Sequence, residues 1–217
     1  MLLNVVDTAR LLDKYGIQSP KWFSSNELQE LVDASRILRK PWVLKLASPD
    51  SSHKTEKGLV ALNLRDEQSL VNAFNELQRR GTGLKIDCML LQEQLSGTEF
   101  IIGGKKDACF GQTILFGLGG VMAELYKDVA LCVTPLDAAE ALKMMNGTKA
   151  SAFLLQEGFR GRKASAKALA ELLVRTSVLL EENPQITELD FNPVISNEHG
   201  PWVADARIII EGVKTHA

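Results

Sequence analysis

The spacing of hydrophobic residues along the chain predicts a mixture of helices and strands. Hydrophobic residues recur every three or four positions, as on one face of an amphipathic helix, in five segments. These are the N-terminal segment that ends at Gly16, and residues 26–38, 67–80, 137–145 and 166–181. The helix over 67–80 is the best marked, because Asp66 is a suitable N-cap and Gly81 is a natural end.

Short apolar runs between these segments predict strands over residues 41–47, 58–64, 88–93, 99–103, 111–116, 186–191 and 202–206. The later strands follow one another without intervening helices. This order is typical of an α+β fold with separate lobes rather than of a doubly wound parallel sheet. A turn signal at residues 95–97 interrupts the strand pattern, and we expect the hinge between the lobes there.

The composition narrows the class of protein. The 217 residues are 45% hydrophobic and 24% charged, with a formal net charge of −2, so no basic surface for nucleic acid or membrane is indicated. The three cysteines, Cys88, Cys109 and Cys132, form no C-x-x-C pair, which argues against a disulfide framework and fits a reducing compartment. The N-terminal apolar run is too short and too polar for a signal peptide or a membrane span. We therefore expect a soluble cytoplasmic protein whose cysteines behave as small buried hydrophobic residues.

The first candidate for chemistry is Lys45, which interrupts the apolar run V-L-K-L. A buried ammonium group needs an anionic partner, and phosphate is a natural one. The following loop, residues 48–58, is rich in Ser, Thr, Lys and Gly and contains His53. Such a loop can offer backbone N–H groups and cations to phosphates. The alternative is a solvent-exposed lysine on an edge strand, and no Walker A loop is present.

A glycine-rich turn, Phe116-Gly-Leu-Gly-Gly120, directly follows a predicted strand. Glycines allow positive φ and a close approach of the backbone to a ligand. The turn is not the dinucleotide-binding fingerprint, because Met122 occupies the position of the third glycine. A plain tight turn and a binding loop both remain open.

A third candidate lies near the C-terminus. Residues two apart share one face of a strand, so Glu188, Asp190 and Asn192 would line one side of the strand that precedes Pro193. A second strand carrying Asp205 would bring several oxygen ligands together, the kind that Mg²⁺ accepts beside a triphosphate. Arg207 would then neutralise phosphate oxygens. The alternative is a solvent-facing polar side of a hairpin.

Together these residues resemble the ATP-grasp domain, or beta subunit, of ADP-forming acyl-CoA synthetases of the acetate–CoA ligase type. The resemblance spans Tyr15 to Ile210 in the family order, through the stretches VLKLASPDSSHKTEKG, LLQEQLSGTEFIIGGKKDACFGQTILFGLGGVMAELYKDVALCVTPL, GFRG and ELDFNPVISNEHGPWVADARIII.

The resemblance implies an ATP-grasp fold, with two α+β lobes that clasp ATP. Residues 1–95 would form the N-terminal helix and the smaller lobe, and residues 96–217 the larger lobe with the metal ligands. The implied reaction interconverts acyl-CoA, ADP and phosphate with acid, CoA and ATP. The partner that the resemblance implies is a CoA-binding alpha subunit. The chain contains no G-x-G-x-x-G unit for CoA. We expect that the chain alone makes no acyl-CoA.

The resemblance also implies roles for individual residues. His53 matches the histidine that carries phosphate, and Lys54 beside it and Gly58 complete the phosphate loop. Lys45 matches the lysine that reaches the nucleotide phosphates. Gln92, Glu93 and Leu95 match the segment that holds adenine, and Glu99 follows it. Asn192 and Asp205 match the magnesium ligands, with Asp190 in support. Arg207 would lie near the phosphates.

Two positions depart from the family pattern. Gly58 is followed by Leu59, where the family has a second glycine, and Cys132 replaces the arginine of K-D-V-x-x-R. These departures keep two alternatives open: an ATP-grasp carboxylate ligase that works through a direct acyl phosphate and needs no histidine, and a nucleotide-binding regulatory module without turnover.

Overall fold

The structure, a computed structural model, describes residues 1–49, 58–120, 128–152 and 164–212. Its helices are α1 (Val5–Lys14), α2 (Leu28–Ser35), α3 (Glu67–Arg80), α4 (Ala138–Asn146) and α5 (Ala166–Glu182). Its strands are β1 (Trp22–Ser25), β2 (Trp42–Ala47), β3 (Val60–Leu64), β4 (Cys88–Glu93), β5 (Thr98–Asp107), β6 (Gly111–Leu118), β7 (Val129–Val133), β8 (Ile186–Asn197), β9 (Gly200–Val203) and β10 (Ala206–Ile210). The chain divides into two compact units, Pro20–Leu95 and Met1–Ser19 with Ser96–Ala217.

The smaller unit, Pro20–Leu95, is built on an antiparallel sheet with the strand order β1-β4-β2-β3. One face of this sheet packs against α2 and α3 through a buried apolar core that includes Leu44, Leu91 and Phe74. Asp66 caps α3 by accepting from the Ser69 N–H at 2.7 Å, and Ser69 returns a bond in a capping box, as the sequence predicted for this helix start. The other face of β2 and β4 is free of these helices and carries Lys45.

The larger unit is built on a sheet with the strand order β10-β8-β5-β6-β7, and β9 pairs with β8. The helices α1, α4 and α5 pack on this sheet. The core beneath them includes a stacked pair, Phe100 and Phe116, with ring centroids 5.6 Å apart. The opposite face bears the polar residues of β8 and β10, so the candidate metal ligands lie away from the core.

The N-terminal helix belongs to the larger unit, which corrects the predicted boundary that put residues 1–95 in one lobe. The reason is packing: Leu12 and Ile17 are buried in the core of the larger unit, and the Leu3 N–H donates to the Ile208 carbonyl at 2.9 Å. The periodicity of α1 indicates that one of its faces is buried, but it cannot indicate against which partner.

Most predicted elements are present, but β5 (Thr98–Asp107) and β8 (Ile186–Asn197) are longer than the predicted 99–103 and 186–191. There are three further differences. The strands β1 and β7 were not predicted, because runs of four and five residues carry little periodicity. The predicted strand over 202–206 is instead two strands, β9 and β10, separated by a bend at Ala204 and Asp205. Cys109 is exposed in the turn between β5 and β6, so the expectation that all three cysteines are buried is wrong. No helix among the described residues is long and apolar enough to cross a membrane.

Candidate functional site

The pairing of β8 with β10 places two of the predicted metal ligands side by side. The backbone N–H of Asn192 donates to the carbonyl of Asp205 at 3.1 Å. Asn192 is exposed and Asp205 is half-buried. An amide oxygen and a carboxylate therefore come from adjacent backbone positions on the face of the sheet that the helices leave open.

A β-bulge in β8 lies directly beside Asn192. The β5–β8 register passes from Phe100 opposite Val194 to Ile102 opposite Phe191, so β8 uses one residue more than β5 over this step. As a result, Phe191 and Val194 are both buried although they are three residues apart. Bulges of this kind redirect a side chain and are common beside active sites.

Arg207 and the acidic residues of β8 form a charged group on the same face. Arg207 lies opposite Asp190 in the β8–β10 register, and its Nη1 donates to Glu188 Oε1 at 3.0 Å. Both side chains of this ion pair are partly exposed, at 37% and 47%. Glu188 thus holds Arg207 on the same face of the same sheet as Asn192. The resemblance did not single out Glu188.

These donors fit a magnesium ion that shares its coordination with phosphate. Mg²⁺ is commonly held by one or two carboxylates together with waters and substrate phosphates. Among residues 1–49, 58–120, 128–152 and 164–212, no three His, Cys, Asp or Glu side chains converge to form a metal cluster. Asn192 and Asp205, with Asp190 nearby, offer oxygen donors of the kind that such a shared ion accepts.

The glycine-rich turn after β6 is packed tightly against β5. A Cβ atom at Gly119 would lie 2.9 Å from the carbonyl oxygen of Phe100, and Gly119 donates its N–H to the Glu99 carbonyl at 2.8 Å. Gly120 has φ +60, and a Cβ atom there would meet the carboxylate of Glu99. Gly119 is therefore required by its contact with the backbone of Phe100, whereas Gly120 is favoured by its positive φ, because the Glu99 carboxylate is the end of a flexible side chain.

In the smaller unit, Lys45 and Gln92 lie on one face of the sheet. Gln92 is opposite Val43 in the β2–β4 register, and Lys45 is opposite Leu90, so these side chains all point away from α2 and α3. Lys45 is 6% exposed and Gln92 5% exposed. A buried ammonium group at this position, as the sequence predicted, requires polar or anionic company.

Glu93 points the other way. Its carboxylate accepts from the Arg39 backbone N–H at 3.1 Å, and the Arg39 guanidinium lies 3.6 Å away. Glu93 is buried, and only 6% of its surface is exposed. Any contact of Glu93 with a nucleotide would therefore come from its backbone. Leu95, the last residue of the smaller unit, is half-buried.

Gly58 is held by an arginine of α3. Arg80 donates to the Gly58 carbonyl at 3.1 Å and to Glu76 at 2.6 Å. Hydrogen bonds from Arg79 first, and then from Arg80, lower the pKa of Glu76 to about 2. Glu76 therefore remains ionised at neutral pH, and it keeps Arg80 directed at Gly58. His53 and Lys54, which precede Gly58, lie outside the described residues.

The two departures from the family pattern are both apolar packing positions. Leu59 is 1% exposed in the core of the smaller unit. Cys132 packs against the core of the larger unit, on the helix-covered side of β7. Cys132 thus lies on the face of the sheet opposite to Asn192.

Comparison with known proteins decides the family. The ATP-grasp domain family matches residues 1–210 of this chain. The beta subunit of acetate–CoA ligase [ADP-forming] I from Pyrococcus furiosus is 32% identical over 210 residues, which are 94% of this chain and 90% of that protein. The chain belongs to the ATP-grasp family of ADP-forming acetate–CoA ligase beta subunits.

Two further proteins extend the ATP-grasp comparison. Acetate–CoA ligase [ADP-forming] I from Archaeoglobus fulgidus is 37% identical over 206 residues, which are 92% of this chain but only 30% of that longer protein. Acetyl-coenzyme A synthetase 1 of Ca. Korarchaeum cryptofilum, solved with coenzyme A and Ca-AMPCP, superposes with a TM-score of 0.90 at 36% identity, covering 97% of this chain and 93% of that chain. A second structure of the same synthetase contains Mg-AMPPCP and has its phosphohistidine segment pointing towards the nucleotide binding site (TM-score 0.82, 37% identity, 97% of this chain and 93% of that chain).

Proposed function

We propose that this chain is the nucleotide-binding part of an ADP-forming acyl-CoA synthetase, which interconverts acyl-CoA, ADP and phosphate with acid, CoA and ATP. The observation that carries the proposal is the juxtaposition of Asn192 and Asp205 on the open face of an ATP-grasp sheet. The similarity over 90% of a beta subunit named for this reaction supports it.

The polar residues on the sheet faces that the helices leave open each have a role in this proposal. Asn192 and Asp205 would hold Mg²⁺, with Asp190 in support, and the ion would offset the charge of the triphosphate. Arg207, positioned by Glu188, would stabilise phosphate oxygens. In the smaller unit, Lys45 would reach the phosphates, while the backbone of residues 92–95 would hold the base. Glu99 would lie next to this segment.

His53 would carry the phosphoryl group. In its neutral form, an imidazole nitrogen attacks the γ-phosphorus of ATP, the bond from that phosphorus to the bridging oxygen breaks, and ADP leaves with the bonding electrons. An unprotonated imidazole nitrogen supplies the electron pair that this attack requires. Lys54 would stabilise the phosphate charge that arrives.

The partner would be a CoA-binding alpha subunit or an alpha domain in the same polypeptide. Relatives of both kinds match: the P. furiosus protein is a separate beta subunit, while this chain spans 30% of the A. fulgidus protein. We place the reaction in the cytoplasm, because the three free cysteines suit a reducing compartment.

Titration calorimetry with ATP, with and without Mg²⁺, tests the metal assignment. We expect the double variant Asn192→Ala, Asp205→Ala to lose at least about tenfold in Mg-ATP affinity, while metal-free binding changes little. The matched control is Asp13→Ala with Asn146→Ala, one exposed carboxylate and one exposed amide of the same unit. An unchanged magnesium dependence would overturn the metal assignment, and a wild-type chain that binds no nucleotide would overturn the proposed function.

A further inference from the structure

Asn63 has a strained backbone. Among the described residues it is the one non-glycine residue with positive φ, at 60°. Such a conformation costs an L-residue free energy, although asparagine tolerates it better than most. It lies at a bulge in β3, where the β2–β3 register passes from Trp42 opposite Leu64 to Leu44 opposite Ala61. A strained residue that persists in a structure needs interactions that compensate for it.

The backbone N–H and the side chain of Asn63 both bond to Gln94. The Asn63 backbone N–H donates to Gln94 Oε1 at 2.6 Å, and Gln94 Nε2 donates to Asn63 Oδ1 at 3.2 Å. The Gln94 backbone N–H donates to the Pro41 carbonyl at 2.9 Å. The side chain and backbone of Gln94 are thus fixed from two sides by neighbouring parts of the smaller unit.

The residue before it is fixed in the same way. The Glu93 backbone N–H donates to the Lys21 carbonyl at 3.0 Å, and the Glu93 carboxylate accepts from the Arg39 N–H. Residues 93 and 94 are the centre of the segment 92–95, which the proposed function assigns to the base of the nucleotide. The side chains of both residues bond to other parts of the protein, so the base of the nucleotide would contact the backbone of this segment.

We propose that Asn63 is a positioning residue for nucleotide binding, which fixes the backbone of segment 92–95 through Gln94 before the nucleotide arrives. This inference rests on the proposed function. A segment that is already ordered loses less conformational entropy when a ligand binds, so it binds more tightly. The Asn63–Gln94 pair is solvent-exposed, and exposed hydrogen bonds add little to folding stability. Its main effect is therefore expected in affinity.

Calorimetry with Mg-ATP and with ADP, on the full chain and well below its melting temperature, tests the inference. We expect Asn63→Ala and Gln94→Ala each to weaken the binding of both nucleotides about tenfold, or by about 1.4 kcal/mol. Asn63→Ala removes the acceptor and disfavours positive φ. The two losses should be equal, because ATP and ADP share the base and ribose. Asn63→Asp, which tolerates positive φ and keeps the acceptor, should stay within about threefold of wild type.

The matched control is Gln68→Ala, which breaks an amide pair of the same chemistry on the exposed side of α3, where Gln68 Nε2 donates to Asn72 Oδ1 at 3.0 Å. Its affinity should not change. If Asn63→Ala and Gln94→Ala bind both nucleotides as wild type does, or lose only melting temperature, the positioning role is wrong. A loss confined to ATP would also contradict it. A wild-type chain that binds neither nucleotide would instead overturn the proposed function itself.

Discussion

At the scale of single residues, the turn after β6 is decided by backbone contacts within the protein. Gly119 lies so close to the backbone of Phe100 that even a methyl group has no room. Backbone atoms cannot move aside as the end of a long side chain can. The identity of this residue is therefore fixed by packing.

We expect Gly119→Ala to lower the free energy of unfolding by about 1–3 kcal/mol, the usual cost of overpacking. Urea denaturation followed by circular dichroism measures this. Gly212→Ala is the matched control, because a Cβ there would meet nothing within 4 Å, and it should be neutral. Equal stability of the two variants would contradict the contact at Phe100.

The sequence left open whether this is a plain tight turn or a loop that approaches a ligand, and it could not show that Gly119 meets the backbone of Phe100. Glycine signals that space is short, whereas the neighbour that fills the space is set by tertiary packing. The same applies to Asn63. An asparagine inside the run V-A-L-N-L is a visible interruption, but its link to Gln94, 31 residues later, depends on how β3 and β4 lie in the sheet.

At the scale of elements, β3 has an exposed side, and the residue just before the strand, Leu59, is deeply buried. Leu59, just before the strand, is 1% exposed, while Leu62 within it is 57% exposed. The backbone carbonyl of Leu59 accepts from the Leu46 N–H at 3.0 Å. The buried side chain and the backbone of Leu59 therefore hold the start of β3 in place.

Replacing Leu59 by alanine should lower the free energy of unfolding by about 2–5 kcal/mol, because it leaves a cavity in the core of the smaller unit. Thermal and urea unfolding measure the loss. Leu62→Ala, in the same strand but exposed, should change the stability by less than about 0.5 kcal/mol. A Leu59→Ala variant as stable as Leu62→Ala would show that the buried contacts of this side chain are unimportant.

Elements with a strong local pattern were predicted well. Strand β4 and helix α3 have the predicted bounds, because each carries its own signal: a bounded apolar run for the strand, and a cap and helical spacing for the helix. Strand β7 carries no such signal and exists because it pairs with β6. The candidate ligands Asn192 and Asp205 were expected to be adjacent, and Asn192 alternates with the buried Phe191, but the bulge between Phe191 and Val194 is a property of the β5–β8 pairing and is not visible in the sequence.

At the scale of the whole molecule, the proposed reaction needs a second component. We expect the purified chain to bind Mg-ATP but to form no acyl-CoA, and to support synthesis only when a CoA-binding alpha subunit is added. With that partner, γ-labelled ATP should place an acid-labile, base-stable label on the wild type. Radiolabel transfer and a coupled acyl-CoA assay measure both steps.

The variant His53→Ala should lose the label and the coupled activity, whereas His199→Ala, at an exposed histidine, should keep both. Full label and activity in His53→Ala would exclude the phosphohistidine step and favour a ligase that forms an acyl phosphate directly. Acyl-CoA formation by the chain alone would contradict the need for a partner.

The pairing of Leu3 with Ile208 has a consequence for the order in which a nascent chain matures. The ribosome makes α1 before β10, which packs against it and follows roughly 200 residues later, about 10–40 s at ordinary elongation rates. During that interval, Leu12 and Ile17 have no core to enter. The smaller unit, whose core lies within Pro20–Leu95, is complete long before. We therefore expect the unit Pro20–Leu95 to fold first on the ribosome and the larger unit to fold last, when β10 becomes available to pack against α1.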